Sequence, residues 1–209
     1  MGIKRVTKKE ASGARLFAES IIRFVRKNLK TRYRFSDRKV GSGAWNIILR
    51  QDGQMWDIDY KLHLTKKSKA FKENGFKNPG QIKLDFFNVI NNYFQNKSGF
   101  TVQNSTTSIT ILNYNSNYSL DFVIIKEGKE IIRRSQGNNY VWNELPLING
   151  ALDEFKKLQP NQKTDLIENY VLPRKKKEIQ KNLDDPTKRS SSEILIEEIN
   201  NYLQRVRNK

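Results

Sequence analysis

Cysteine is absent from this sequence and histidine occurs once, at position 63. The first absence excludes disulfide frameworks, iron–sulfur clusters and thiolate zinc sites. A lone histidine cannot build an imidazole metal cluster, and it argues against a histidine-centred triad. Any metal here is therefore expected to be a hard cation held by carboxylates. No stretch approaches the roughly 18 consecutive apolar residues that a membrane helix needs. The first 30 residues are basic and amphipathic rather than an apolar run with a cleavage site. Met1-Gly2 opens no myristoylation motif, because Val6 stands where Ser or Thr is required. A cytoplasmic protein with no membrane partner is the expectation.

What is present is a chain of 209 residues, long enough for one domain or a domain with an appendage. Phe, Tyr, Ile and Leu are plentiful enough for a real core, although the hydrophobic fraction is only 36%. Lys and Arg number 39 against 22 Asp and Glu, a formal charge of +17. Such an excess suits a polyanion: nucleic acid, nucleotide or an acidic partner. It also serves solubility alone. Residues 1–40 carry 13 of the basic residues and 3 of the acidic ones. Within them, Phe17, Ile21, Phe24, Val25 and Leu29 recur at helical spacing and predict a helix over 8–30. Arg15, Arg23, Arg26, Lys27 and Lys30 fall largely off that stripe. They form a basic face that either guides RNA or DNA or keeps the protein in solution.

Downstream the periodicity changes. Residues 33–40 and 45–50 read as strands, the first ending in Gly41-Ser42-Gly43 and the second in an Asp52-Gly53 hairpin turn. Over 56–64 the alternation puts Ile58, Tyr60, Leu62 and Leu64 on one face and Asp57, Asp59, Lys61 and His63 on the other. Residues 65–77 read as a Lys-rich loop or lid. Asn78-Pro79 starts a helix that runs to about residue 95. Strands are predicted at about 100–104, 107–113, 118–126 and 130–134. Past residue 150 the pattern turns helical: 151–158, then 163 to Pro173, then a last helix opened by Ser190 and Glu193 as a capping box. The Arg174-Lys175-Lys176-Lys177 run reads as a solvated helix end or loop, or as a contact for phosphate backbones.

The chemistry rests on three carboxylates. Asp57 and Asp59 stand one residue apart on a strand, so they share a face. Asp121 lies in Tyr118-Ser-Leu-Asp-Phe-Val-Ile-Ile125, where an unpaired charge is costly. Carboxylates converging from adjacent strands repel one another unless a cation joins them. With one or two Mg²⁺ they make a hard, oxygen-lined site able to orient a triphosphate for in-line displacement. Val40-Gly41-Ser42-Gly43 lies just upstream at a strand end. Its glycines let backbone amides approach a phosphate, and the Ser42 hydroxyl adds a donor. His63 reads as a surface residue beside this set. Trp45, Trp56 and Trp142 are candidates to stack on a base and, more simply, core residues.

This ordered set resembles the nucleotidyltransferase superfamily that includes DNA polymerase β. Its pattern is a hydrophobic residue with Gly-Gly or Gly-Ser, an acidic-x-acidic strand, and a third acid on a neighbouring strand. Here these are Val40-Gly41-Ser42, Asp57-Ile58-Asp59 and Asp121. The stretches from Gly41 to Leu62 and from Leu120 to Ile124 are similar to the cyclic-GMP-AMP-synthase and oligoadenylate-synthase-like branch, the CD-NTases. The resemblance covers about residues 30–145. Two departures stand out. No Gly-Thr pair follows Gly-Ser, and only about 60 residues follow Gly150, whereas that branch carries a sizeable C-terminal helical half.

The resemblance implies an α/β (α+β) nucleotidyltransferase fold, a small twisted mixed sheet flanked by helices with a short C-terminal helical region. The expected organisation is a basic helix at 1–30, a catalytic core at 31–150 and a helical region at 151–209. Asp57 and Asp59 would bind two Mg²⁺ (or Mn²⁺) ions and the donor triphosphate. Asp121 would bind the catalytic metal and help deprotonate the acceptor. Ser42 with the amides of Gly41 and Gly43 would hold terminal phosphates. Residue chemistry adds Lys61, on the face of Asp59, as a charge partner for the nucleotide or for Asp59 itself. The implied activity is transfer of a nucleoside monophosphate from a nucleoside triphosphate to a hydroxyl. Its product would be a cyclic or linear oligonucleotide signal of antiphage defence, or a modified tRNA or protein. A non-catalytic nucleic-acid-binding module is the alternative of another class.

Overall fold

The structure is a computed structural model that describes residues 2–133, 139–144, 149–181 and 191–207. The chain divides into two compact units. One comprises the described residues among 7–46 and 54–145; the other comprises those among 1–6, 47–53 and 146–209.

The larger unit is a seven-stranded mixed sheet with helices on one face. Its strands are β2 (Phe35–Val40), β4 (Trp56–Leu64), β5 (Phe100–Asn104), β6 (Ser108–Asn113), β7 (Tyr118–Lys126), β8 (Lys129–Arg133) and β9 (Tyr140–Glu144). The order is β2-β4-β7-β6-β5, and β8 joins β7 to β9. Among the described residues only β4 and β7 of this sheet run parallel; its other pairs are antiparallel. A parallel pair needs a crossover. It is supplied here by α4 (Pro79–Phe94), whose start is fixed by the Asn78 side chain accepting from Gln81 N–H. The helix α1 (Lys8–Leu29) begins with a Thr7–Glu10 capping box.

Period-2 alternation sorts the sheet into two faces. Trp56, Ile58, Tyr60, Leu62, Leu64, Tyr118, Leu120, Phe122 and Ile124 point to the helix side and are buried. There Phe86 of α4 meets Tyr33 and Phe35, while Phe17 of α1 meets Phe94 edge-on and stacks on Phe100. The buried stripe of α1 is Ala11, Ala14, Ala18, Ile21, Ile22, Val25 and Leu29. Phe17 and Phe24, expected on the core-facing stripe, sit half-buried at its margin. Residues 65–77 are not all loop: α3 (Lys69–Asn74) forms within them and ends at Gly75 in the left-handed region.

The smaller unit pairs β1 (Ile3–Arg5) with β3 (Leu49–Gln51) in a two-stranded antiparallel ribbon. This corrects the hairpin expected at Asp52-Gly53. Gly53 does turn, with φ of 80°, but β4 already has β2 and β7 on its two edges, so β3 pairs elsewhere. Its helices are α5 (Asn149–Lys157), α6 (Pro160–Leu166), α7 (Leu172–Gln180) and α8 (Ser191–Arg207). Pro173 does not end a helix as expected. A π-helical turn at Ile167–Val171 links α6 to α7, and the wider turn accommodates a residue that has no N–H to donate. The Arg174–Lys177 run is correspondingly not a loop. Lys175 is buried and its Nζ donates to Ile47 O at 2.7 Å, and Arg174 pairs with Glu197 and Glu198. The capping box expected at Ser190 lies outside the described residues. Among the described residues no helix is long and apolar enough to cross a membrane.

Candidate active site

The face of the sheet opposite the helices carries the polar residues. Register fixes which of them are neighbours. Asp59 lies directly across the parallel ladder from Asp121, and Asp57 lies across from Ser119. Asp57, Asp59 and Asp121 therefore share one face of two adjacent strands. Asp57 is exposed, while Asp59 and Asp121 are half-buried. Asp121 is thus not enclosed in an apolar strand, as its flanks suggest: Ser119, Asp121 and Val123 form the open side of β7 and their apolar neighbours the other.

On its far side Asp59 faces Val40, the last residue of β2. There the chain turns into one helical turn, α2 (Gly41–Ala44). Gly41 has φ of 59°, and a Cβ on it would sit 2.5 Å from Asp59 Oδ2. Only glycine allows both that conformation and that approach. Gly43 is packed similarly, its missing Cβ lying 3.0 Å from Ile58 Cγ2, and Ser42 is buried. The Gly-Ser-Gly turn and the acidic strand are therefore adjacent, as their order in the sequence suggests. Just beyond it, Arg15 of α1 donates to the side chain of Asn46, itself in the left-handed region.

Lys61 continues the acidic face, opposite Arg38 on β2 and Val123 on β7. His63 follows, opposite Ser36. Burial lowers the His63 pKa, and the positive charges of Lys61 and Arg38 lower it further. The ring belongs to a cationic end of the face, away from the carboxylates. Of the three tryptophans, Trp56 is buried against Tyr118, and Trp142 donates its indole N–H to Phe76 O at 2.8 Å. Trp45, half-buried like Trp142, lies beside the turn.

Asp121 has partners that the sequence reading missed. Ser108 and Thr110 on β6 both donate to its Oδ1, Ser108 at 3.0 Å. The Ser-x-Thr spacing is visible in the sequence, but only the β6–β7 register, Thr110 opposite Asp121, brings it to this carboxylate. Among the described residues no three acidic or imidazole side chains are gathered closely enough to hold a metal ion. The donor chemistry is nonetheless that of a hard divalent cation: carboxylate and hydroxyl oxygens on one open face, with no sulfur.

No protein-family model matches the sequence, and no curated protein matches it. Solved structures do match. The dinucleotide cyclase DncV of Vibrio cholerae, solved with GTP and 5MTHFGLU2, superposes with a TM-score of 0.65 at 12% identity, covering 94% of this chain and 69% of that one. The STING-associated c-di-GMP synthase CdnE of Capnocytophaga granulosa gives 0.62 at 16% identity, covering 94% and 61%. CdnC of Escherichia coli MS115-1, solved with ATP, gives 0.58 at 16% identity, covering 92% and 59%. The chain thus spans roughly three-fifths to seven-tenths of the length of these proteins. At this identity the likeness establishes the fold: the nucleotidyltransferase fold of the CD-NTases, with its mixed sheet and flanking helices.

Proposed function

We propose that the protein is a nucleotidyltransferase that moves a nucleoside monophosphate from a nucleoside triphosphate to a hydroxyl, releasing pyrophosphate. The observation that carries this reading is the side-by-side register of Asp59 and Asp121, with Asp57 on the same face and the Gly41–Gly43 turn against Asp59. Nucleotide cyclases of the same fold support it, as does their binding of GTP and ATP.

In this reading the amides of Gly41 and Gly43 and the Ser42 hydroxyl hold the terminal phosphates, with Lys61 offsetting charge further along the face. Asp57, Asp59 and Asp121 are the residues that would hold two Mg²⁺ (or Mn²⁺) ions against the donor. Bound there, the ions would polarise the α-phosphate and acidify the acceptor hydroxyl. Asp121 takes up the acceptor proton. The acceptor oxygen then bonds to the α-phosphorus as the bond to the pyrophosphate oxygen breaks. The products we favour are cyclic or linear oligonucleotides of the kind that signal in antiphage defence, made in the cytoplasm.

The test is incubation with labelled nucleoside triphosphates and Mg²⁺ or Mn²⁺, with and without RNA or DNA, beside the Asp57→Ala/Asp59→Ala variant. Metal-dependent oligonucleotides that vanish in the variant are expected. Label appearing on tRNA or protein instead would redirect the acceptor. No product under any condition would reject the enzyme in favour of a nucleic-acid-binding module, and product surviving the double substitution would reject the site.

A further inference from the structure

Asp59 and Asp121 face each other across a ladder, a placement in which like charges destabilise the sheet. Something on this face must offset that repulsion, and β6 supplies it. Ser108 Oγ lies 3.0 Å from Asp121 Oδ1, and Thr110 Oγ1 reaches the same oxygen. Ser108 and Thr110 are 3.1 Å apart, and Ser105 Oγ lies 3.1 Å from Thr110 Oγ1. The protons can be assigned by counting. A carboxylate only accepts, and each hydroxyl owns one proton. Ser108 and Thr110 therefore spend theirs on Asp121, and the Ser105 hydroxyl donates to Thr110. Two hydroxyls thus converge on one carboxylate oxygen, and a third backs Thr110.

The cluster is also anchored. Ser105 stands in the turn between β5 and β6. Lys83, buried on α4, donates from Nζ to Ser105 O at 2.6 Å and to Thr106 O at 3.1 Å. Arg133 N–H of β8 donates to Thr106 O at 3.0 Å. The turn is held from a helix on one side and a strand on the other, so the hydroxyls it leads into are not free to swing.

We propose that Ser108 and Thr110 are positioning residues: they hold the Asp121 carboxylate in place beside Asp59 so that it can serve as a ligand to the catalytic cation. The inference rests on the nucleotidyltransferase reading. Hydroxyl donors fix a ligating carboxylate in one orientation, and losing such a contact typically costs about 10–100-fold in metal affinity or activity.

The experiment measures Mn²⁺ affinity by electron paramagnetic resonance, in the presence of a non-hydrolysable nucleoside triphosphate. It compares the full chain with Ser108→Ala/Thr110→Val, Thr110→Val, Thr110→Ser and Asp57→Ala/Asp59→Ala, each checked for folding by circular dichroism. The Ser108→Ala/Thr110→Val variant should bind Mn²⁺ about 10–100-fold more weakly. Thr110→Ser should restore what Thr110→Val loses. In turnover, the Mg²⁺ concentration for half-maximal rate should rise while the nucleotide KM stays near that of the wild type. A folded double-hydroxyl variant that binds Mn²⁺ as tightly as the wild type, or more tightly, would overturn the inference while leaving the enzyme reading intact. Mn²⁺ affinity unchanged by Asp57→Ala/Asp59→Ala would instead overturn the underlying reading, and the inference with it.

Discussion

Single residues on this sheet are constrained by what lies within a few ångströms. Gly41 has two reasons to be glycine: its φ of 59° and the 2.5 Å that would separate a Cβ from Asp59 Oδ2. Gly41→Ala is expected to cost about 1–2 kcal/mol from the left-handed backbone alone. It should also weaken nucleotide binding by displacing Asp59, as urea unfolding and nucleotide titration would read. Gly13, in α1 with nothing within 4 Å of a Cβ, is the contrast: Gly13→Ala should stabilise by about 0.4–1 kcal/mol. Lys83 gives a pH signature. Burial, with the nearby Arg133 charge, pushes its pKa from 10.5 down to about 8. Between those values the unfolded chain holds a proton that the folded chain has released, so stability rises with pH across that window. Tyr60 acts oppositely: burial raises it from 10.0 to about 12, so stability is lost as pH climbs through that range. Urea unfolding of wild type and Lys83→Met at pH 7.5, 8.5 and 9.5 should show a rising contribution in the wild type that the variant lacks.

Among the elements, the basic run at 174–177 shows how charge in a sequence misleads. Lys176 and Lys177 are exposed, as a solvated stretch would be. Lys175, however, lies inside, where its Nζ reaches the Ile47 carbonyl from 128 residues away. Arg174 reaches two glutamates of α8, one of them the buried Glu198. The π-helical turn before Pro173 lets the helix continue and so sets the direction in which these two side chains project. Lys175→Met keeps the stem's packing but leaves the Ile47 carbonyl unpaired. The expected loss is about 1–3 kcal/mol in urea unfolding, larger than that of the exposed Lys176→Met.

For the whole molecule, the charge of +17 is unevenly placed, with Lys8, Lys9, Arg23, Lys27 and Lys30 on the exposed side of α1. Affinity for duplex RNA or DNA, measured by fluorescence anisotropy between 50 and 200 mM salt, should fall steeply along a log–log line. Reversing Arg23, Lys27 and Lys30 to Glu should flatten that slope; a slope already flat in the wild type would leave solubility as the role of the charge. Asp57, Asp59 and Asp121 would be untouched by these changes, so nucleic-acid affinity and the proposed transferase activity separate in one set of variants.

Most of the larger unit was legible from alternation and caps. The strand 56–64, the helix from Asn78-Pro79 and the strand pair around Asp121 follow from side-chain period and turn chemistry, which are local. The order Gly-Ser, Asp-x-Asp, Asp was enough to point to the fold that the solved cyclases share. What lay beyond the sequence is pairing at a distance. Which edge β3 joins, whether a helix survives Pro173, and which lysine of a basic run goes inside depend on partners tens of residues away. The hydroxyls at Asp121 are the clearest case. Ser108 and Thr110 are ordinary strand residues until the ladder sets Thr110 opposite Asp121, because a register is a relation between two strands and is written in neither alone.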